Sequence, residues 1–163
     1  MRRFLAAAAA LLFSADLAFS ATLLFPSDAP VASITIPDRW QPQETETGVD
    51  AASDEEGIYF AADVAGSDNM EAIIDGVFKF LDENGVKADP TTQNETTDTL
   101  NGMTFHAIEW KGTDEVGPVS IAVAILGVRP DKLLVLTYWG AKEQEQANVQ
   151  EVGKILASIK AVN

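Results

Sequence analysis

Groups that could act as a nucleophile or a base are scarce in this sequence of 163 residues. It contains no cysteine and a single histidine, His106, so a serine nucleophile would depend on that one base. The Gly-x-Ser-x-Gly pattern that exposes a catalytic serine on a sharp turn is missing. Ser33, Ser120 and Ser158 all lie within predicted strands or helices. His106 falls in the middle of a predicted strand, where we interpret it as a structural residue.

The sequence also lacks most of the residues and motifs that form metal and phosphate sites. One histidine and no cysteine leave zinc, copper and iron–sulfur sites without ligands. The acidic segments 54–56 and 114–115 offer oxygen ligands for calcium, but neither has the spaced Asp, Asn and Gly of a calcium-binding loop. We interpret both as solvated turns. The glycine-rich patterns that hold phosphates are missing as well, so the sequence predicts no cofactor.

Carboxylates are the reactive groups that the sequence has in quantity, with 25 Asp and Glu residues. Two carboxylates at the right separation are enough to hydrolyse a glycosidic bond. The spacing along the chain singles out no pair. A small extracytoplasmic hydrolase that uses paired carboxylates therefore stays open as the alternative function.

Aromatic residues provide the other candidate site. Trp40 lies at the entry of a predicted loop, Tyr59 lies opposite the apolar face of its strand, and Trp110 and Trp139 lie near strand ends. Tyrosine and tryptophan are enriched at partner and ligand surfaces. Packing against helices is the role we favour for each one separately. The candidate partner or ligand surface consists of Trp40, Tyr59, His106 and Trp110.

The N-terminus has the layout of a secretory signal peptide. Two arginines precede an apolar run over residues 4–13, and Ala18 and Ser20 occupy the −3 and −1 positions of a cleavage site. Asp16 argues against a membrane anchor, because an aspartate near the centre of a spanning helix costs about 2.5–3.5 kcal/mol. We therefore predict a signal peptide over residues 1–20 and a periplasmic or secreted protein.

The mature chain, residues 21–163, is predicted to form one domain. Removal of the signal peptide takes away two arginines and Asp16, which leaves 9 basic and 24 acidic residues and a formal net charge of −15. Such a charge repels nucleic acid and anionic membranes, and no later segment is apolar enough to span a bilayer. Without cysteine, the domain must be stabilised by packing rather than by disulfides.

Hydrophobic periodicity predicts the elements of the first half. Alternating residues predict strands over residues 31–36 and 58–64, and the polar residues 41–56 between them predict a surface loop. A helix is then predicted, with Asp68 as its cap and Gly85 at its end. Its apolar stripe consists of Met70, Ile73, Ile74, Val77, Phe78 and Leu81.

The second half predicts an edge strand within residues 89–100 and a hairpin turn at Asn101-Gly102. Three further strands are predicted at residues 103–111, 119–128 and 133–139. The last two are apolar on both faces, so both faces must be covered. A second helix is predicted from the stripe Val149, Val152, Ile155, Leu156 and Ile159. These elements, in the order ββαββββα, predict an α+β fold with a mainly antiparallel sheet covered by helices on both faces.

Three short motifs in this order resemble the PsbP-like superfamily, which includes the extrinsic photosystem II subunit and many small secreted bacterial domains of unknown role. The motifs are Ile36-Pro37-Asp38-Arg39-Trp40, the turn Asn101-Gly102, and Ile155-Leu156-Ala157-Ser158-Ile159-Lys160. The resemblance implies a sandwiched sheet and a role in binding or assembly, and it transfers no functional residue. We therefore expect an exported protein that is not an enzyme and that binds a protein or a small molecule.

Overall fold

A computed structural model describes residues 20–53 and 57–162 of the chain. Residues 1–19 of the predicted signal peptide and the acidic segment 54–56 lie outside the described residues. The elements in chain order are β1 (Ser20–Phe25), β2 (Ala32–Pro37), β3 (Gln43–Glu44), β4 (Gly48–Ala52), β5 (Ile58–Ala65), α1 (Met70–Glu83), β6 (Lys87–Ala88), β7 (Asn94–Leu100), β8 (Met103–Thr113), β9 (Pro118–Arg129), β10 (Lys132–Ala141), α2 (Lys142–Ser158) and β11 (Lys160–Ala161).

These strands form two sheets. The larger sheet has the order β3-β4-β5-β10-β9-β8, and its last strand pairs with both β6 and β7. The smaller sheet has the order β1-β2-β11. Every strand pair within the described residues is antiparallel. The prediction of an α+β fold with mainly antiparallel strands is therefore confirmed.

The predicted order of elements is incomplete, because it lacks β1, β3, β4, β6 and β11. The prediction of a loop through residues 41–56 is wrong at β4, a strand that pairs with β5. Val49 and Ala51 are buried there while Asp50 between them is only partly buried. A strand of five small or polar residues has too few apolar side chains for its alternation to stand out in the sequence.

The two central strands, β9 and β10, have side chains in two separate apolar clusters. Leu134 and Leu136 of β10 belong to a cluster that contains Ile155 of α2. Val135, between them, belongs to a second cluster that contains Val77 and Leu81 of α1. The first cluster also includes the inward side chains of β1 and β2, so the small sheet and α2 share one core.

Helix α1 carries the stripe that its sequence predicts, but its start differs from the prediction. The N-cap is Asn69 instead of Asp68, and its side-chain oxygen accepts a hydrogen bond from the Gly66 amide at 2.7 Å. After the helix ends, Gly85 adopts the left-handed backbone with φ 70°. Lys79 forms an ion pair with Glu83, one turn further along the helix, at 3.6 Å.

Neither α1 nor α2, nor any other helix in the described ranges, has the length and apolar character needed to cross a bilayer.

Candidate ligand-binding site

The four aromatic and histidine residues singled out by the sequence do not share one surface. The strand register places Tyr59, Trp139, Ile121 and Trp110 in one row across the sheet, on the face that α1 covers. Trp40 belongs to the other core and is 1% exposed.

Trp40 is a core residue with a polar anchor. Its indole nitrogen donates a hydrogen bond to Glu151 Oε2 of α2 at 2.7 Å, and Arg39 donates to the same oxygen. Burial acts to raise the pKa of Glu151, but the bonds from Arg39 and Trp40 outweigh it and the pKa is lowered. This carboxylate therefore fixes the turn after β2 against α2.

His106 lies on the α1 face but away from the helix. It is exposed, and its Nδ1 lies 2.9 Å from the Thr97 hydroxyl of β7. Trp110 packs edge-on against Phe78 of α1, with ring centroids 6.2 Å apart. Both residues therefore take part in packing or cross-strand contacts.

Of the four predicted site residues, Tyr59 is the one that borders the cleft between α1 and the large sheet. Its ring stacks on Trp139 with centroids 4.5 Å apart and lies 5.1 Å from the ring of Phe80 in α1. Beside these rings, a cleft of about 260 Å³ opens between α1 and strands β5 and β10. Its sheet side consists of Thr47, Tyr59, Ala61, Asp63 and Thr137, and its helix side of Ala72, Ile73, Gly76, Val77 and Phe80.

The cleft exists because small residues face each other across it. Ala61 lies on its floor, and Ala72 and Gly76 face it from α1. A methyl group added at Gly76 would meet nothing within 4 Å. Larger side chains at these positions would fill the space between helix and sheet, so the residues themselves keep the cleft open.

Asp63 supplies the carboxylate of this cleft. Its Oδ1 accepts a hydrogen bond of 2.6 Å from the hydroxyl of Thr47. Burial raises the pKa of Asp63; the Thr47 bond opposes this, and the charge of Asp50 adds to the increase. Thr47 is held in place because its carbonyl accepts from the Val64 amide at 2.8 Å. The next residue must be glycine, since a Cβ at Gly48 would lie 1.8 Å from the Ala62 carbonyl oxygen.

Asp50 is a second carboxylate on the same face of the sheet. It lies opposite Ala61 in the register, while Gly48 lies opposite Asp63, so the two aspartates are diagonal neighbours on adjacent strands. The Tyr59 hydroxyl donates to Asp50 Oδ2 at 3.4 Å. Burial raises the pKa of Asp50, and the Tyr59 bond opposes the increase. The pKa of the Tyr59 hydroxyl is itself raised, first by burial and then by the charges of Asp50 and Asp63.

Thr137 contributes a polar group without a partner. The residue is 2% exposed, and within the described residues its hydroxyl makes no hydrogen bond. Thr137 lies opposite Ala61 in the register and lines the cleft. Buried polar groups in folded proteins are nearly always paired, so an unpaired hydroxyl on a cleft is a position where a ligand atom would be stabilised.

Sequence reasoning placed only part of this site. The pattern of β5 set Tyr59, Ala61 and Asp63 on one face, but Asp50 fell in a predicted loop. A signal for Thr137 was present, because it is the one serine or threonine in a predicted strand, residues 133–139, that is apolar on both faces. The acidic segment 114–115 holds a turn, since Asp114 Oδ1 accepts from the amides of Val116 and Gly117 at 2.8 and 2.9 Å.

No group of three or more His, Cys, Asp or Glu side chains placed to hold a metal ion occurs in residues 20–53 and 57–162. Asp63 of the cleft and the neighbouring Asp50 accept hydrogen bonds, because Thr47 and Tyr59 direct their hydroxyl protons to Asp63 and Asp50. The arrangement is therefore suited to a ligand that donates hydrogen bonds.

Comparison with known proteins identifies the fold. The sequence matches no protein-family model and no curated protein. The structure is similar to the solution structure of cyanobacterial PsbP (CyanoP) from Synechocystis sp. PCC 6803, with a TM-score of 0.59 and 11% identity over 91% of this chain and 96% of that chain. It is also similar to the crystal structure of LpqN, involved in cell envelope biogenesis of Mycobacterium tuberculosis, with a TM-score of 0.54 and 12% identity over 89% of this chain and 91% of that chain.

The chain therefore has a PsbP-like fold, and the resemblance found in its three motifs is confirmed. At 11% and 12% identity these likenesses show the fold alone, because one fold carries many functions. The site must supply the argument for function.

Proposed function

We propose that this protein is an exported, non-enzymatic domain of the PsbP-like fold that binds a small ligand in the cleft between α1 and the large sheet. The observation that carries the proposal is the hydroxyl of Thr137, which is buried on the cleft that Asp63 also lines and has no hydrogen-bond partner in the described part of the chain. A buried hydroxyl without a partner costs free energy in the empty protein, and a ligand that bonds to it removes that cost.

Export to the periplasm or the medium is supported by the signal-like residues 1–20. It also agrees with the structural likeness to LpqN, a protein involved in cell envelope biogenesis. In this proposal the mature domain begins at Ala21, and helices cover both faces of the large sheet. The second point is supported by the separate clusters in which α1 and α2 pack.

A pair of glycine variants tests ligand binding at the cleft. Gly76 of α1 and Gly153 of α2 are both exposed helical glycines, and a methyl group added at either would meet nothing within 4 Å. Leucine at either position favours helix formation by a similar amount. Gly76→Leu places its side chain at the cleft, whereas Gly153→Leu leaves the cleft open.

The measurement is a thermal-shift screen of the wild-type protein against a panel of anionic, neutral and cationic metabolites, with both variants in parallel. A ligand of this cleft raises the melting temperature of wild type and Gly153→Leu, but not of Gly76→Leu. If no compound in the panel acts in this way, the proposed small-ligand function is overturned. Pull-down from a periplasmic extract then tests a protein partner as the alternative occupant.

A second candidate function has its own observation in its favour. Asp50 and Asp63 lie on the same face of adjacent strands, and both have raised pKa values. Diagonal neighbours of this kind have Cβ atoms about 7 Å apart, a separation compatible with two carboxylates that act as acid and base. We propose, as the alternative, a small hydrolase that uses this pair.

An activity screen on glycosides and esters separates the two functions. The hydrolase is supported if one activity falls about a hundredfold or more in both Asp50→Asn and Asp63→Asn. The exposed carboxylate of Asp75 on α1 supplies the control variant Asp75→Asn. An activity that survives both Asp50→Asn and Asp63→Asn, or the lack of any activity, counts against the hydrolase and leaves the binding function in place.

A further inference from the structure

The cleft offers more hydrogen-bond acceptors than donors. Asp63 has one oxygen that accepts from Thr47, and its other oxygen, Oδ2, accepts no hydrogen bond in the described part of the chain. The Thr137 hydroxyl is also without a partner there. Because an ionised carboxylate only accepts hydrogen bonds, the group that fills this space has to bring donors.

The charge of the cleft points to the same kind of group. None of the residues that line it is a lysine or an arginine. Neither Asp63 nor the neighbouring Asp50 forms an ion pair with a basic side chain within residues 20–53 and 57–162. Two carboxylates in neighbouring positions without a counter-ion repel each other, and a cation that enters the cleft relieves this repulsion.

The walls of the cleft are suited to an organic cation. Tyr59 and Phe80 line it with aromatic rings whose centroids lie 5.1 Å apart, and the faces of such rings attract cations. Ile73 and Val77 of α1 add aliphatic surface. The volume of about 260 Å³ lies below the range of about 300–1,000 Å³ that is typical of drug-sized ligands.

We propose that the cleft binds a small molecule by its protonated primary amine, with the ammonium group on Asp63 Oδ2 and the Thr137 hydroxyl and a short carbon chain between Tyr59 and α1. This inference rests on the proposed ligand-binding function and names its ligand class. An ammonium group has three donors and no acceptor, which complements the free acceptors of the cleft. The net charge of the mature chain attracts such ligands to the surface.

Three probes of equal length separate charge from shape. n-Butylamine, n-butanol and n-butyrate each contain four carbons in a straight chain and end in a cationic, a neutral and an anionic group at neutral pH. Each is titrated into the ¹⁵N-labelled protein while amide chemical shifts are recorded. We expect n-butylamine to give saturable shifts at Ala61, Gly76 and Thr137, and the other two probes to bind at least about tenfold more weakly, because they lack the charge-assisted bond to Asp63.

Two variants and one control assign the contacts. Asp63→Asn should weaken n-butylamine binding about tenfold or more, because it removes the charge. Thr137→Val should weaken n-butylamine binding about threefold to tenfold, because valine has the size of threonine but lacks the hydroxyl that accepts from the ammonium group. Asp75→Asn removes the same charge from the exposed side of α1 and should leave the affinity within about twofold of wild type, because the charge it removes is exposed and screened.

The outcomes distinguish this inference from the function on which it rests. If n-butanol or n-butyrate binds as well as n-butylamine, or if Asp63→Asn and Thr137→Val bind it like wild type, the amine assignment is overturned. In that case a panel ligand whose binding Gly76→Leu blocks still supports the proposed function. If neither n-butylamine nor any panel compound binds at the cleft, both proposals are overturned.

Discussion

A hydroxyl group buried without a partner costs free energy, because it gives up hydrogen bonds to water and receives none in return. Thr137 is in this situation among residues 20–53 and 57–162, while Thr47, on the same cleft, donates its hydroxyl proton to Asp63. Two residues of the same type therefore have opposite effects on stability. The difference can be measured with one substitution, Thr to Val, which keeps the shape of the side chain.

We expect Thr137→Val to raise the free energy of unfolding by about 1 kcal/mol, because it removes an unsatisfied group. Thr47→Val should lower it by about 1 kcal/mol, because Asp63 then loses its donor. Urea-induced unfolding in the absence of ligand measures both values. A loss of stability in Thr137→Val would mean that its hydroxyl has a stabilising partner in solution, which would remove the main observation behind the binding site.

Asp63 also predicts how stability depends on pH. In the folded protein the pKa of Asp63 is raised above the ordinary value of 3.8, and burial is the largest cause of the increase. Between 3.8 and the raised value the folded state holds more protons than the unfolded state, so the free energy of unfolding falls as pH rises. Asp50 and Tyr59 are the titratable groups that face Asp63, and neither supplies a positive charge.

Asp63→Asn removes the pH dependence that Asp63 causes, because an amide does not ionise. The amide oxygen can still accept the hydrogen bond from Thr47. We expect the variant to gain stability relative to wild type as pH rises from about 4 to 7. Glu151 acts in the opposite direction, because its pKa in the folded protein is lowered from the ordinary value of 4.5. Its contribution to the free energy of unfolding is present above pH 4.5 and is lost as the pH falls through the pKa of the folded protein. Because Glu151 is common to both proteins, the difference between their unfolding curves isolates Asp63. A difference that does not change with pH contradicts the prediction.

At the scale of elements, the hairpin between β7 and β8 also secures the end of α2. Asn101 has φ 51° and Gly102 has φ 81°, as a two-residue hairpin turn requires. The side-chain amide of Asn101 donates to the carbonyls of Ala157 and Ile159 at 2.9 and 2.7 Å. These carbonyls at the end of the helix would otherwise lack partners, so the turn also acts as a cap for α2.

This predicts different effects for two turn substitutions. Asn101→Gly keeps the backbone conformation but removes both bonds, and should lower the free energy of unfolding by about 1–2 kcal/mol. Gly102→Ala meets nothing within 4 Å, so it should cost about 1 kcal/mol through its positive φ alone. Hydrogen exchange locates the change: only Asn101→Gly should speed exchange in the last turn of α2. Equal acceleration by the two variants would exclude the capping role.

Elements with strong local signals were predictable from the sequence, and elements formed by pairing alone were not. The stripe of α1, the strands β9 and β10 and the turn at Asn101 each carry their own periodicity or turn residues. The strands β3, β6 and β11 contain two residues each, too few for any pattern. They exist because a neighbouring strand offers free hydrogen-bonding groups.

The candidate site was only partly predictable for the same reason. The alternation of β5 placed Tyr59 and Asp63 together, since both lie on one strand. Asp50 and Thr137 join them through the pairing of β5 with β4 and β10. The helix side of the cleft depends on where α1 crosses the sheet. Such contacts between distant segments follow from the tertiary structure and leave no periodic trace in the chain.

At the scale of the whole molecule, the signal-like N-terminus, the acidic charge and the lack of disulfides are the features that bear on the cellular location of the protein. Strand β1 begins at Ser20, and its register continues through Phe25, which lies opposite Ala32 of β2. Cleavage after Ser20 removes one residue from the end of this strand and keeps residues 21–25 paired. The predicted processing site is therefore compatible with the folded mature domain.

We expect the full chain, produced in a bacterial host that exports it, to be recovered from the periplasm or medium with Ala21 as its first residue. Mass spectrometry of the intact protein measures the removal of 20 residues. Ala18→Asp places a charge at the −3 position, where signal peptidase requires a small residue, and should yield unprocessed chain. Phe19→Leu changes the tolerant −2 position and should be processed like wild type. The predicted signal peptide is contradicted if the wild-type protein stays unprocessed in the cytoplasm, or if Ala18→Asp and Phe19→Leu are processed equally. Either result would also contradict the proposal that the cleft binds its ligand outside the cytoplasm.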